Sequence, residues 1–410
     1  MIAALPVIYL TYMFVSLYML LFFIIIFLRS IGTMYTFPVP RREYSVSVLI
    51  PAYNEEDSIQ GTLEALLQSE YPLEEIIVIN DGSRDRTGTI VKEMMQKHKM
   101  IRLIEKANSG KAASLNEGIK IAKGELIAVV DSDSFPAKDA IGKMVGYFDS
   151  PEVGGVTASV LVRNRNKFIE KLQAMEYSAI AWTRKLLEYV DGIWVTPGPL
   201  ALYRRKVIQD IGYFDTHNLT EDIEIAWRLI HHGYKIRMSM LARVTTVVPS
   251  RLKIWAKQRI RWNMGGTQTL MKYKRDVFKR GLGAFIIPFF SISLFLGLFG
   301  LAVFLYLFVR NVYLKFFVIS YSLHAGVNPL VLNDIYLTPT VLNIFGIALF
   351  ILGFYFTLFS FSQMKENEFM QKKNILVLLF YVTLYLALHP ILLVISFYKI
   401  ATGQVGWGTK

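Results

Sequence analysis

An α/β domain with a mostly parallel sheet, set among membrane-spanning helices, is the architecture this sequence predicts. Three observations carry it. Uncharged apolar runs at about 7–28, 284–309, 341–360 and 375–397 are each long enough to cross a bilayer, which needs roughly 20 residues. Between the first two, short continuously apolar runs at 46–52, 76–79, 101–104 and 126–130 alternate with amphipathic stretches. Such runs read as strands buried on both faces and joined by helices, hence βαβ units with right-handed crossovers. Finally, Asn54 and Glu55 come just after the first run, Asp81-Gly82-Ser83 after the second and Asp131-Ser132-Asp133 after the fourth. That is the carboxyl edge at which parallel sheets bind ligands.

Composition narrows the class. A chain of 410 residues that is 53% hydrophobic, with a mean hydropathy of +0.38, is too apolar for a soluble enzyme of its size. It has no cysteine, which excludes disulfides, thiolate metal sites and cysteine nucleophiles. The histidines show no HExxH-like spacing, and His231 with His232 belong on a helix surface, so a metal here would be held by carboxylates. The net charge of +13 fits anionic membrane lipids and a diphosphate-bearing ligand. No nucleic-acid motif is present, so no nucleic-acid partner is expected, and no motif sets an oligomeric state.

Taken in order, the first span (1–29) is followed by Arg29, Arg41 and Arg42, which places the domain that follows (30–250) on the cytoplasmic side. A helix is expected over 168–190. It leads into Val195-Thr196-Pro197-Gly198-Pro199-Leu200, where Pro and Gly break regular structure and bring backbone close to whatever lies beside it. Asn218 and Glu221 predict an N-cap pair, starting a helix that runs through Trp227 and carries Asp222 in its first turn. Region 251–281 mixes Trp255, Ile254, Ile260, Trp262 and Leu270 with Lys253, Lys257, Arg259, Arg261, Lys272, Lys274 and Arg275. That mixture predicts amphipathic helices in the membrane interface. The C-terminal region, 282–410, should hold about three spans. Lys365, Lys372 and Lys373 mark a cytoplasmic loop, and 315–335 is expected as an external loop or interfacial segment.

Single residues allow plain readings: Asp222 as an acid favoured by a helix dipole, Asp81-Gly82 as a turn, Lys111 as a solvated helix start, Asp131-x-Asp133 as two solvated acids in a loop. Their coincidence on one sheet edge, in a domain rich in positive charge, favours a joint function. Gln258, Arg261 and Trp262 add an amide, a guanidinium suited to phosphate and a flat ring that stacks on sugar within one helical stretch.

Thr220-Glu221-Asp222, Gln258 to Trp262 (QxxRW) and Asp131-Ser132-Asp133 resemble the signatures of family 2 inverting glycosyltransferases, over about 45–270. This membrane group includes poly-N-acetylglucosamine, hyaluronan, chitin and cellulose synthases. The resemblance implies a GT-A type, Rossmann-like catalytic domain that transfers a sugar from a UDP-sugar donor. By that resemblance Asp222 is the catalytic base. Asn54, Glu55, Asp81, Lys111, Asp131, Gln258, Arg261 and Trp262 lie on the nucleotide and substrate, and Gly198, Pro199, Glu221 and Trp262 on the acceptor side. Asp131 and Asp133 hold Mg2+ or Mn2+, hard cations suited to carboxylate and diphosphate oxygens.

Two enzymatic readings follow. The first is a processive polysaccharide synthase of the plasma membrane that polymerises a UDP-sugar, UDP-N-acetylglucosamine foremost, into a β-linked chain and exports it. The second is a single-addition enzyme glycosylating a lipid acceptor. A non-catalytic transporter is disfavoured, because its spans would carry buried charge and these are almost free of it. The Thr220 to Glu224 and Gly265-Gly266 stretches look closest to poly-N-acetylglucosamine synthases. The Gly198-Pro199-Leu200 loop and the Trp407-Gly408-Thr409 ending resemble hyaluronan or chitin synthases, and that ending implies a hidden fifth span.

Overall fold

In the computed structural model, residues 4–279, 281–326 and 341–404 are described. A first helix, α1 (Ala4–Met34), carries the N-terminal apolar run. The domain that follows opens with β1 (Val46–Ala52), α2 (Ile59–Leu67), β2 (Glu75–Asp81), α3 (Thr87–Lys97), β3 (Ile101–Lys106), α4 (Lys111–Ile121) and β4 (Leu126–Val129). These are the four expected strands. All pair in parallel, β3 to β2, β2 to β1 and β1 to β4. β1, β2 and β4 are buried along their whole length, as their unbroken apolar runs require. β3 is only half-buried because it is the sheet edge.

The strands in the second half of the sheet were not foreseen, whereas the helices expected over 168–190 and through Trp227 are present at Phe168–Glu188 and Glu221–His231. This half comprises β5 (Ser134–Pro136), a short α5 (Gly142–Val145), β6 (Val153–Val162), α6 (Phe168–Glu188), β7 (Ala201–Arg204), α7 (Arg205–Asp210), α8 (Glu221–His231) and β8 (Lys235–Thr246). β7 pairs antiparallel with both β4 and β6, and β8 pairs parallel with β6 and antiparallel with β5. One eight-stranded, mostly parallel sheet results, in the order β3-β2-β1-β4-β7-β6-β8-β5.

The interfacial stretch is one helix, α9 (Leu252–Tyr273). Beyond it come α10 (Ile287–His324), α11 (Val341–Gln363), α12 (Ile375–Phe380) and α13 (Leu386–Ala401). A π-helical turn, Leu282–Ile286, leads into α10, and another, Tyr381–Tyr385, joins α12 to α13. Among the described residues, four stretches are long and apolar enough to cross a membrane: Pro6–Met34, Leu282–His324, Ile344–Gln363 and Ile375–Ala401.

Three expectations are corrected. Residues 315–324 are not a loop but the continuation of α10, which Ala325 and Gly326 close in a turn; positions 327–335 of that expected loop and the Trp407 to Lys410 ending lie outside the described residues. α8 starts with Thr220 as its N-cap and no side-chain cap; Asn218 Oδ1 instead accepts from the Thr220 backbone N–H at 2.9 Å. Arg259 is no exposed interfacial cation, being 3% exposed and paired with Glu176.

Candidate active site

Asp81 ends β2, 4% exposed, and organises the turn before α4. Its carboxylate accepts from Lys106 Nζ at 2.6 Å and from the Ser109 and Gly110 backbone N–H groups at 2.9 and 2.8 Å. Burial opposes ionisation, but these donors hold Asp81 below the usual carboxylate range. The turn needs Gly110, at φ 92°, a left-handed conformation open to glycine. It delivers Lys111 to the mouth of the sheet. Alongside, Asn54 at φ 55° accepts from the Arg84 backbone N–H at 2.9 Å, and the Glu55 N–H donates to Thr87 Oγ1 at 2.8 Å. The loops after β1 and β2 are thereby laced together.

Lys111 Nζ lies 2.6 Å from Asp131 and 2.8 Å from Glu221. Burial disfavours its charge, yet Asp131, Glu221 and Asp222 together hold the ammonium well above the usual lysine range. Gly198 closes over this pair. The Asp131 N–H donates to the Gly198 carbonyl at 3.1 Å, and a Cβ on Gly198 would sit 2.5 Å from Lys111 Nζ and 2.6 Å from Asp131. The Pro-Gly loop, read as acceptor-side, therefore also abuts Asp131. Its other end reaches the proposed base: Thr196 donates to the Asp222 carbonyl through its N–H at 3.3 Å and its hydroxyl at 3.1 Å, while Tyr203 donates to Thr196 Oγ1 at 2.7 Å.

The Thr220-Glu221-Asp222 turn is seated on α9. Arg261 Nη1 donates to the Leu219 carbonyl at 3.1 Å, and Asn218 Nδ2 to Thr269 Oγ1 at 2.9 Å. Gly265 allows this approach, since a Cβ there would meet Thr220 Oγ1 at 2.1 Å. Desolvation, then the charge of Glu221, pushes Asp222 up to about 6, with Lys111 and Arg261 pulling the other way. Glu221 itself is held low, its burial outweighed by Lys111. Two adjacent acids with pKa values driven apart are the arrangement from which a base near neutrality is made.

Asp133 accepts from Thr246 and Ser134 at 3.2 and 3.3 Å. Its burial and the neighbouring Asp131 and Glu55 raise it to about 7. Among the described residues no group of three or more His, Asp or Glu could hold a metal by itself. The donor set still fits a hard divalent cation, because a second charge beside Asp131 and Asp133 would relieve their repulsion and phosphate oxygens would complete the shell. Arg261 Nε is buried and lacks a protein partner, as suits a guanidinium awaiting an anion.

Several contributors carried no sequence signal. Glu176 on α6 accepts from Arg259 Nη2 and Tyr385 Oη, at 2.5 and 2.7 Å, and Trp255 Nε1 donates to Tyr385 Oη at 2.8 Å. Arg259 also stands 4.0 Å over the half-buried ring of Trp262 and donates to Gln258 Oε1 at 3.3 Å. Thus the QxxRW helix is fastened by a buried ionic knot to α6 and to the last apolar helical stretch.

Residues 47–212 match the sequence model of the family described as Glycosyl transferase family 2. The chain is 35% identical over 251 residues to a poly-beta-1,6-N-acetyl-D-glucosamine synthase of Staphylococcus epidermidis, covering 60% of this chain and 61% of the relative. A synthase of the same name from Staphylococcus aureus is 34% identical over 229 residues, 55% of this chain and 56% of the relative. The chain thus matches about three fifths of the length of these curated relatives. Among solved structures, a mannosyltransferase from Pyrobaculum calidifontis in complex with GDP-Man and Mn2+ superposes with a TM-score of 0.53 at 24% identity, over 67% of this chain and 75% of that one. That likeness bears on the fold.

Proposed function

From a chain whose residues 47–212 are a family 2 glycosyltransferase domain, we propose a processive inverting polysaccharide synthase that polymerises N-acetylglucosamine from UDP-N-acetylglucosamine into a β-linked chain. The observation that carries this reading is the seating of Asp222. It is half-buried, raised to about 6, and held between the Lys111 and Asp131 pair on one side and the α9 helix of Arg261 on the other. The names of the relatives supply the sugar.

In the proposed reaction the acceptor hydroxyl oxygen attacks the anomeric carbon from the face opposite UDP. A C–O bond to the acceptor forms, the bond to the β-phosphate oxygen breaks, UDP leaves with the electron pair, and the hydroxyl proton passes to Asp222. One displacement inverts the α-linked donor to a β-linked product. Arg261 and Lys111 bind the diphosphate, Asn54, Glu55 and Asp81 shape the nucleotide side, and Gln258 and Trp262 face the sugars, with Pro199 and Glu221 completing the acceptor side. Asp131 and Asp133 would hold Mg2+ or Mn2+, which when bound supplies positive charge to the leaving diphosphate.

Processivity is supported by the knot of Glu176, Arg259 and Tyr385, which anchors the helix bearing Trp262 to an apolar helix at the membrane. A polymer finished there has a short path into the bilayer region, consistent with export from a cytoplasmic domain at the plasma membrane. The test is product analysis of the full chain in lipid nanodiscs, given labelled UDP-N-acetylglucosamine and Mn2+ or Mg2+. A ladder or high polymer that Asp222→Asn cannot make is the expected result. Label confined to one sugar on a lipid would replace this reading by the lipid-glycosylating one.

A further inference from the structure

α6 presents to the active site a face that none of the recognised motifs includes. Tyr177 and Arg184 lie seven residues apart, hence two turns apart on one side of the helix. The ring of Tyr177 is 5.9 Å from the Arg259 guanidinium. Arg184 is 8% exposed, and its Nε is buried without a hydrogen-bond partner. Neighbouring cations are matched: Lys185 pairs with Glu188 at 2.7 Å, and Arg259 with Glu176 at 2.5 Å. Arg184 forms no ion pair among the described residues.

We propose that Arg184, with Tyr177 on the same face of α6, binds the oxygen atoms of the acceptor sugar beside Asp222 and rejects an acceptor whose terminal sugar carries a free ammonium group. The inference rests on the function proposed above. A guanidinium has five N–H donors and no acceptor, and a buried Nε–H without a partner is costly unless a ligand satisfies it. The ligand has to present oxygens. Location selects which ligand. Tyr177 lies beside the Arg259 guanidinium, which stands over the Trp262 ring assigned to the sugars, so this face of α6 borders the sugar side of the site, and the Asp222 charge also acts on Arg184. Arg184 therefore belongs with the sugar side rather than with the cluster around Lys111. Burial lowers Arg184 only to about 10, so it stays charged at neutral pH. An acetamide carbonyl or hydroxyl oxygen suits it; an ammonium group brings no acceptor and a like charge at low dielectric.

The test uses the full chain in nanodiscs with UDP-N-acetylglucosamine and two short β-linked oligosaccharides, one ending in N-acetylglucosamine and one in glucosamine, at pH 6.5 where that amine is protonated. Wild type should show an acceptor KM at least about tenfold lower for the acetylated terminus, the scale of one charged hydrogen bond. Arg184→Met should raise that KM by about tenfold or more and abolish the preference, with UDP affinity by calorimetry within about twofold of wild type; Arg184→Lys should keep the preference. Wild type using both acceptors equally well overturns the proposal, and needs no variant to fold. So does Arg184→Met that binds UDP and retains both KM values. Wild type making no β-linked product from this donor defeats the function itself, an outcome distinct from activity without preference.

Discussion

At the scale of single residues, the site is a problem in charge placement. As the proposed base, Asp222 must be ionised to take a proton, yet burial and Glu221 push it up to about 6. The rate should therefore fall as pH drops through about 6, which a kcat/KM profile at saturating metal would reveal. Asp222→Asn removes the base and should lower kcat by about 10²–10⁴-fold, the usual worth of general base catalysis. The sign of the stability effect is opposite. An acid whose folded pKa is raised favours folding when protonated, and that advantage is lost as pH rises from its unfolded value near 3.9 through about 6. Asp222→Asn should thus melt above wild type at pH 7.5 and close to it at pH 4; a variant melting below wild type at pH 7.5 would contradict this account. Most of these residues were legible because the chemistry demands specific types: acids at strand ends, an amide, a guanidinium and an indole on one helical stretch. Arg184 and Glu176 were not. A charged residue in an amphipathic helix reads as solvated until packing shows which side faces the sheet.

Among the elements, α9 does most to join the site to the membrane. It seats the Thr220 turn through Gly265 and Arg261 and is knotted to α6 and to the helix following Tyr385 through Glu176. Glu176→Ala would leave the Arg259 guanidinium buried and unpaired, a loss of about 3–5 kcal/mol for such pairs. The expected signs are a lower melting temperature in detergent and a weaker acceptor KM as Trp262 loses its support; an unchanged melting curve would dismiss the knot as structural. Glu176→Gln, which keeps an acceptor oxygen for Tyr385, should fall between. The same scale explains what the sequence hid about the sheet. β1, β2 and β4 announce themselves by unbroken apolar runs, but β8 alternates buried and half-exposed positions, and β7 spans four residues after a Pro-Gly turn. Their pairing with β6 and β4 depends on contacts far apart in sequence, which no local pattern carries.

Considered whole, a chain with four such apolar stretches among its described residues has to place its α/β domain and its loops on definite sides of a bilayer. Arg165, next to β6, forms a bidentate pair with Glu366 at 2.7 and 3.0 Å, so the segment after α11 lies against the catalytic domain. Lys372 shares that side. The apolar helical stretch Leu282–His324 has 43 residues, about 65 Å of helix at 1.5 Å per residue, roughly twice the hydrocarbon thickness. Starting beside the α/β domain, a stretch of that length would cross and then project well beyond the far face; Arg310 and Lys315 fall where it would leave the lipid. The lack of any native cysteine makes this directly measurable. Single substitutions Lys120→Cys on α4, Lys372→Cys and Ser322→Cys can each be probed in intact cells with a membrane-impermeant maleimide. Ser322→Cys should label at once, and the other two only after the membrane is opened. If Ser322→Cys were protected together with Lys120→Cys, the long helix would have to turn back or lie along the interface. The catalytic domain would then be linked to the remaining spans by a different path from the one its ion pairs describe.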